Sequence, residues 1–196
     1  MKNVPLNSPG AEHGGVLPAT PPAADLPATA KPSLFARLRA YRVWIVVGLI
    51  VLGLDQLTKA WIVARMPFET FRESGGAIPV IHGFLTLVRV GNPGAAWSMF
   101  SGQSTLLTLL AASTLVAIVI WRHTLGLRDR TTQLCFGLLC GGIAGNLVDR
   151  LHYHHVIDFI DLYFSRWDYH YPTFNVADSG ICVGVILYLW HGFREK

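Results

Sequence analysis

"VWIVVGLIVLGLDQLTKAWIV", residues 43–63, holds an acid and a base inside an otherwise apolar run. It is long enough for a helix rising 1.5 Å per residue to cross about 30 Å of hydrocarbon. Asp55 lies about 18 Å along that helix from Val43, in the outer half of a bilayer. A carboxylate at such depth costs roughly 2.5–3.5 kcal/mol, so it needs partners. Lys59, four residues on, shares its face and is one partner. The other reading is that Asp55 holds polar groups of a site.

The rest of the chain agrees with a membrane setting. Of its 196 residues 52% are hydrophobic and only 14% are charged, against about 25% charged in soluble domains; mean hydropathy is +0.40. Further apolar windows occupy residues 104–121, 131–149 and 176–193, which predicts four transmembrane helices. Arg37, Arg39 and Arg42 precede the first helix, Arg122, Arg128 and Arg130 lie between the second and third, and Arg194 and Lys196 end the chain. An even number of crossings puts all three clusters on one side, which the positive-inside rule makes cytoplasmic. Both termini are then cytoplasmic, with residues 66–103 and 149–175 outside. The net charge of +4 reflects this topology and gives no reason to invoke nucleic acid.

Residues 1–33 hold seven of the eleven prolines and read as a disordered cytoplasmic tail before a single membrane domain, residues 34–196. Cys135, Cys140 and Cys182 all fall in proposed spans, which reads as apolar packing rather than a disulfide framework. In the first outer segment Phe84, Thr86 and Val88 alternate with Leu85, Leu87 and Arg89 before the Asn92-Pro93-Gly94 turn. That pattern predicts a small extracytoplasmic β-sheet between the first and second helices. Gly137, Gly141 and Gly145, spaced by four, leave one stripe of the third helix open to close helix approach. Asp149 and Arg150 read as an interfacial pair closing that helix.

Two further acids face the outer interface. Asn175 with Asp178 three residues later resembles a helix cap with a charge favourable to the helix dipole. Capping does not explain Asp158, in "VIDFID" (156–161), at about the same depth. Asp161 reads as a solvated acid. His152, His154 and His155 suggest a metal, but no His-Glu-x-x-His or second ligand cluster accompanies them, so none is expected. No Gly-x-Ser-x-Gly is present. Asp158 and Asp178 remain as a pair of carboxyls that cannot both ionise easily in one small site. One could take a proton from water while its neighbour donates to a substrate carbonyl.

"DQLTK" (55–59), "GNPGAAWS" (91–98), "GGIAGNLVDR" (141–150), "VIDFID" (156–161) and "FNVADSGI" (174–181) occur in this order. Together with four membrane helices they resemble the bacterial lipoprotein signal peptidases, over roughly residues 40–193. The resemblance implies an inner-membrane aspartic endopeptidase that needs no cofactor and no obligate protein partner. Its substrates would be prolipoproteins already bearing diacylglycerol on a cysteine, held at the membrane lipid and cut N-terminal to that cysteine at the extracytoplasmic face. It implies Asp158 and Asp178 as catalytic, with Asp55, Asn92, Asn146, Arg150 and Asn175 binding substrate or shaping the site. Two rival classes are a small transporter with a proton relay through Asp55, Lys59, Asp149 and Asp178, and a lipoprotein-assembly protein that binds without cutting. Acids paired at one interface, rather than strung through the bilayer, disfavour the relay.

Overall fold

The computed structural model describes residues 33–94, 99–100 and 102–194; the proposed disordered tail, except Ser33, and Ala95 to Ser98 lie outside them. A short helix α1 (Leu34–Ala40), not expected from the sequence, leads into α2 (Arg42–Arg65). Strands β1 (Ile78–Ile81) and β2 (Leu85–Asn92) follow, then α3 (Ser104–Ile120) and α4 (Arg130–Tyr153). The chain continues through β3 (Val156–Phe164) and β4 (Tyr169–Phe174) to α5 (Val176–Arg194). Three helices, α2, α4 and α5, are long and apolar enough to cross a membrane. The fourth, α3, is apolar but 17 residues long, about 25 Å at 1.5 Å per residue. Leu49, Leu57, Leu109 and Ile186 are more than half exposed, as side chains facing lipid tails would be.

The glycine stripe seats α4 against two helices. A Cβ on Gly137 would meet Val47 Cβ at 2.7 Å, and one on Gly141 would meet the Gly48 carbonyl oxygen at 2.6 Å. At Gly145 it would strike the Asp55 carboxylate, and at Gly142 the Ala177 carbonyl of α5. These contacts climb α2 and α4 in the same order, so the two helices run parallel. Gly142 lies against Ala177 and Gly184 against Cys135, so α5 runs antiparallel to α4. The basic starts of α2 and α4 are therefore at one end, and Asp55, Asp149 and Asp178 towards the other.

The four strands form one antiparallel sheet in the order β1-β2-β3-β4. It does not lie only between the first two long helices, as the alternation around Val88 had suggested. Half of it comes from the segment between α4 and α5. There β3 is buried on both faces along most of its length and so shows no clean alternation, and β4 is exposed over its first half. Val90 pairs with Asp158 and Leu87 with Ile160, three residues on β2 against two on β3. Between β3 and β4 the extra residue falls on β4. Both bulges therefore spare β3, whose alternation sends Asp158 and Asp161 to opposite faces.

Asp161 is not solvated. Its side chain is 7% exposed and pairs with Arg72, whose Nε donates to its Oδ2 at 2.6 Å. Arg72 Nη2 also donates to the carbonyl oxygens of Asp161 and Phe84, at 3.0 and 3.1 Å. The chain between α2 and β1 folds over the far face of the sheet and removes this acid from water. Losing one partner of a fully buried pair costs about 3–5 kcal/mol, and the 18% exposure of Arg72 reduces that to about 2. Asp161→Ala should therefore lower the melting temperature in detergent clearly, while the folded fraction keeps its activity. An unchanged melting temperature would return Asp161 to the solvated class.

Candidate active site

Helix α5 starts at the site. The Asp178 N–H donates to Asn175 Oδ1 at 2.9 Å, and the Asn175 N–H donates back to Asp178 Oδ2 at 3.2 Å. This reciprocal pair satisfies two amides at the helix start. The Ala177 N–H is met by Asp55 Oδ1 at 2.9 Å. Two carboxylates thus sit where the helix field favours negative charge. The remaining oxygen of Asp178, Oδ1, accepts from Asn146 Nδ2 of α4 at 2.7 Å.

Strand β3 delivers the second carboxyl. Asp158 is 1% exposed; its Oδ1 accepts from Asn175 Nδ2 at 2.8 Å and its Oδ2 from Asn92 Nδ2 at 3.0 Å. Asn92 ends β2, and its Oδ1 is held by the Gly94 N–H at 3.0 Å. Burial raises the Asp158 carboxyl, and the charge of Asp178 raises it further, to about 7. The amide donors of Asn92 and Asn175 oppose that rise by favouring the ionised form.

Both carboxyls line a groove of about 740 Å³. Its polar end also holds Asn92, Gly94 and Arg150; its apolar arm runs between the β3–β4 hairpin and α5, past Leu162, Phe174 and Ile181. Arg150 Nη2 donates to the Gly94 carbonyl at 2.9 Å, while its Nε is buried with no partner among the described residues. Cys182, one turn beyond Asp178, is exposed and lines the same groove. Of the three cysteines only Cys135 is buried.

Behind the two carboxyls lies a charged hub that the sequence revealed only in part. Lys59, 2% exposed, reaches Asp55 Oδ2 at 2.8 Å and Asp149 Oδ2 at 2.7 Å. Its Nζ also donates to Asn146 Oδ1 at 3.0 Å, which leaves the Asn146 amide nitrogen turned to Asp178. Gln56 Nε2 bridges Asp55 Oδ2 and Asp149 Oδ1 at 3.1 and 3.0 Å. Asp149 does not pair with Arg150 as the sequence suggested. Successive residues of a helix point about 100° apart, so Asp149 turns to α2 while Arg150 turns to the groove.

All seven residues singled out from the sequence, Asp55, Asn92, Asn146, Arg150, Asp158, Asn175 and Asp178, thus gather in one place. Lys59, Gln56 and Asp149 join them without having been assigned to the site. The histidines stay apart: His152 stands edge-on to Tyr153 at 4.4 Å and His155 lies against Phe68 at 5.2 Å. His154 ends α4 in the left-handed region, at φ 62°. Among the described residues no cluster of three His, Cys, Asp or Glu is placed to hold a metal ion.

Comparison with known proteins gives a consistent answer. Residues 47–194 match the family model described as signal peptidase (SPase) II. A lipoprotein signal peptidase of Desulforapulum autotrophicum is 41% identical over 159 residues, covering 76% of this chain and 91% of its own. That of Bacillus pumilus is 36% identical over 144 residues, covering 74% and 88%. A solved structure described as a bacterial membrane enzyme, at 2.3 Å resolution, aligns with a TM-score of 0.70 and 30% identity over 79% of this chain and 89% of that one.

Proposed function

The chain belongs to the signal peptidase II family of aspartic peptidases, and on that premise we propose that Asp158 and Asp178 are the two carboxyls with which it cuts lipoprotein precursors. It is a membrane-bound lipoprotein signal peptidase. One observation carries the assignment: two carboxyls with no cationic side chain bonded to them among the described residues, each held by asparagine amides, open together onto one groove.

The chemistry needs one proton between the pair. An ionised carboxylate takes a proton from water as the water oxygen bonds to the scissile carbonyl carbon. The protonated partner gives its proton to the carbonyl oxygen, forming a neutral gem-diol. Return of a proton to the amide nitrogen then breaks the C–N bond and releases acid and amine. Asp158 suits the acid role, because it stays protonated to about 7. Asp178, at the start of α5, suits the base role. Arg150 lines the groove beside the two carboxyls, where its guanidinium group could donate to a substrate carbonyl.

The substrate we infer is a prolipoprotein whose cysteine already carries diacylglycerol, cut on the N-terminal side of that cysteine. The apolar arm of the groove, beside the carboxyls, suits acyl chains or an apolar signal segment. We also infer four crossings, with both termini in the cytoplasm and the sheet outside an inner membrane. The parallel run of α2 and α4 supports this, since α3 must then return the chain between them. So does the pairing of β2 with β3, which requires both outer segments at the same end.

The test incubates purified protein with a lipidated prolipoprotein and with its unlipidated form, and reads cleavage on a gel. Only the lipidated form should be cut; equal cutting of both would overturn the substrate assignment. The pH profile provides a second check. Ionisation of Asp158 removes the acid, so the rate should fall as pH rises through about 7. Asn92→Ala removes a donor that favours the ionised form, so its alkaline limb should move to higher pH even as the rate drops. A limb that stays put or moves down would contradict the acid assignment. The same proton affects stability: between the unfolded value near 3.9 and about 7 the native state binds more protons, so stability declines as pH rises through that window.

A further inference from the structure

At the end of the bundle opposite the carboxyls, four arginines from four parts of the chain line one pocket of about 320 Å³. Arg39 comes from α1, Arg42 from the start of α2, Arg128 from the α3–α4 connection, and Arg130 from the start of α4. None of them takes part in an ion pair among the described residues. The acid between the last two does not neutralise them. Asp129 Oδ2 accepts from the Thr132 N–H at 2.7 Å, capping α4, and lies 3.3 Å from His191 Nε2.

The pocket has a braced floor. Gln133, 2% exposed, donates through Nε2 to the Ala40 carbonyl at 2.9 Å and accepts from the Trp44 N–H at 3.4 Å. These bonds tie the α1–α2 junction to α4, so the four arginines border a hollow whose walls are held together. Guanidinium forks match the oxygens of a phosphate. Arg42 and Arg130 are the first residues of two spanning helices, which sets the pocket at headgroup depth. Next to it α1 exposes Phe35 and Leu38, at 83% and 47%, an apolar strip suited to the acyl boundary.

We propose that this pocket binds the phosphate headgroup of an anionic phospholipid of the cytoplasmic leaflet. The placement in that leaflet rests on the topology inferred above. The ligand class rests on the four unpaired arginines, the braced hollow and the adjoining apolar strip. A basic pocket between spanning helices is a form of lipid site distinct from a diffuse excess of positive charge.

The experiment uses the full chain in neutral detergent and reads retained lipid by native mass spectrometry, with phosphatidylglycerol and phosphatidylcholine offered in equal amounts. Phosphatidylglycerol should be preferred about tenfold or more. Arg39→Gln/Arg128→Gln should remove that preference while cleavage of the lipidated substrate is unchanged. Arg122→Gln/Arg194→Gln, which removes the same charge at the same end outside the pocket, should keep it. Equal retention of the two lipids by the native chain, or equal loss in both double variants, would overturn the proposal. Displacement of the lipid by millimolar inorganic phosphate would also overturn it and assign the pocket to a free anion. Detergent has no sidedness, so this result stands apart from the topology, which a carboxy-terminal tag probed in inside-out vesicles would report.

Discussion

Asp178→Asn and Asp158→Asn should each lower the cleavage rate by about 10²–10⁴-fold, the range usual for losing a positioned acid or base. Neither replacement is neutral in its surroundings. Both oxygens of Asp178 accept hydrogen bonds, from the Asn175 N–H and from Asn146 Nδ2. An asparagine there must turn its own NH2 towards one donor. Asn146 cannot flip to relieve the conflict, because Lys59 Nζ holds its Oδ1. Asp158→Asn meets the same conflict with Asn92 and Asn175. A modest fall in stability should therefore accompany the loss of activity, with insertion into the membrane preserved. The check is turnover of lipidated substrate at equal amounts of folded protein; near-normal turnover by either variant would sink the dyad.

Lys59→Met should have the largest effect on stability. Lys59 is the cation between Asp55 and Asp149, and both acids are 1% exposed or less. Removing one partner of a buried pair costs about 3–5 kcal/mol, mostly from the charge left behind. Here two carboxylates are left, so little folded protein should accumulate. Lys59→Met/Asp149→Asn removes one of those charges and should recover part of the loss, read as melting temperature in detergent. If the single variant melts like the native chain, the hub is not the anchor of the site. Any activity in the double variant also reports on Asn146, whose Oδ1 would then be held, among the described residues, by Asn175 Nδ2 alone.

Much of this was legible along the chain because the signals were local. An acid inside a spanning run announces itself, and Asn175 with Asp178 three residues on is a cap whether or not it is a site. The four apolar windows lie within four residues of α2, α3, α4 and α5 at every end. What stayed hidden depended on partners far away in sequence. The spacing of Asp55 and Lys59 revealed one half of the hub, but Asp149 enters only through the register of α2 against α4. That register is set by contacts such as Gly141 with Gly48. Asp161 looked solvated because nothing near it in sequence says that Arg72 will fold over the sheet. The second half of the sheet was missed because β3 is buried on both faces and carries no alternation to read.

The doubling of roles at the start of α5 bears on how an inhibitor could be escaped. A compound that mimics the reacting peptide would take its affinity at the polar end from Asp158 and Asp178, which Asn146 and Asn175 hold in place. Those side chains also start α5 and tie it to α4. A substitution that weakens the compound there must give up the reaction, the helix start, or both. Resistance should therefore arise along the apolar arm, at Leu162, Ile181 or Cys182, where a side chain can change size without unmaking a hydrogen bond. Compounds with most of their contacts at the polar end should leave fewer routes open than those relying on the arm.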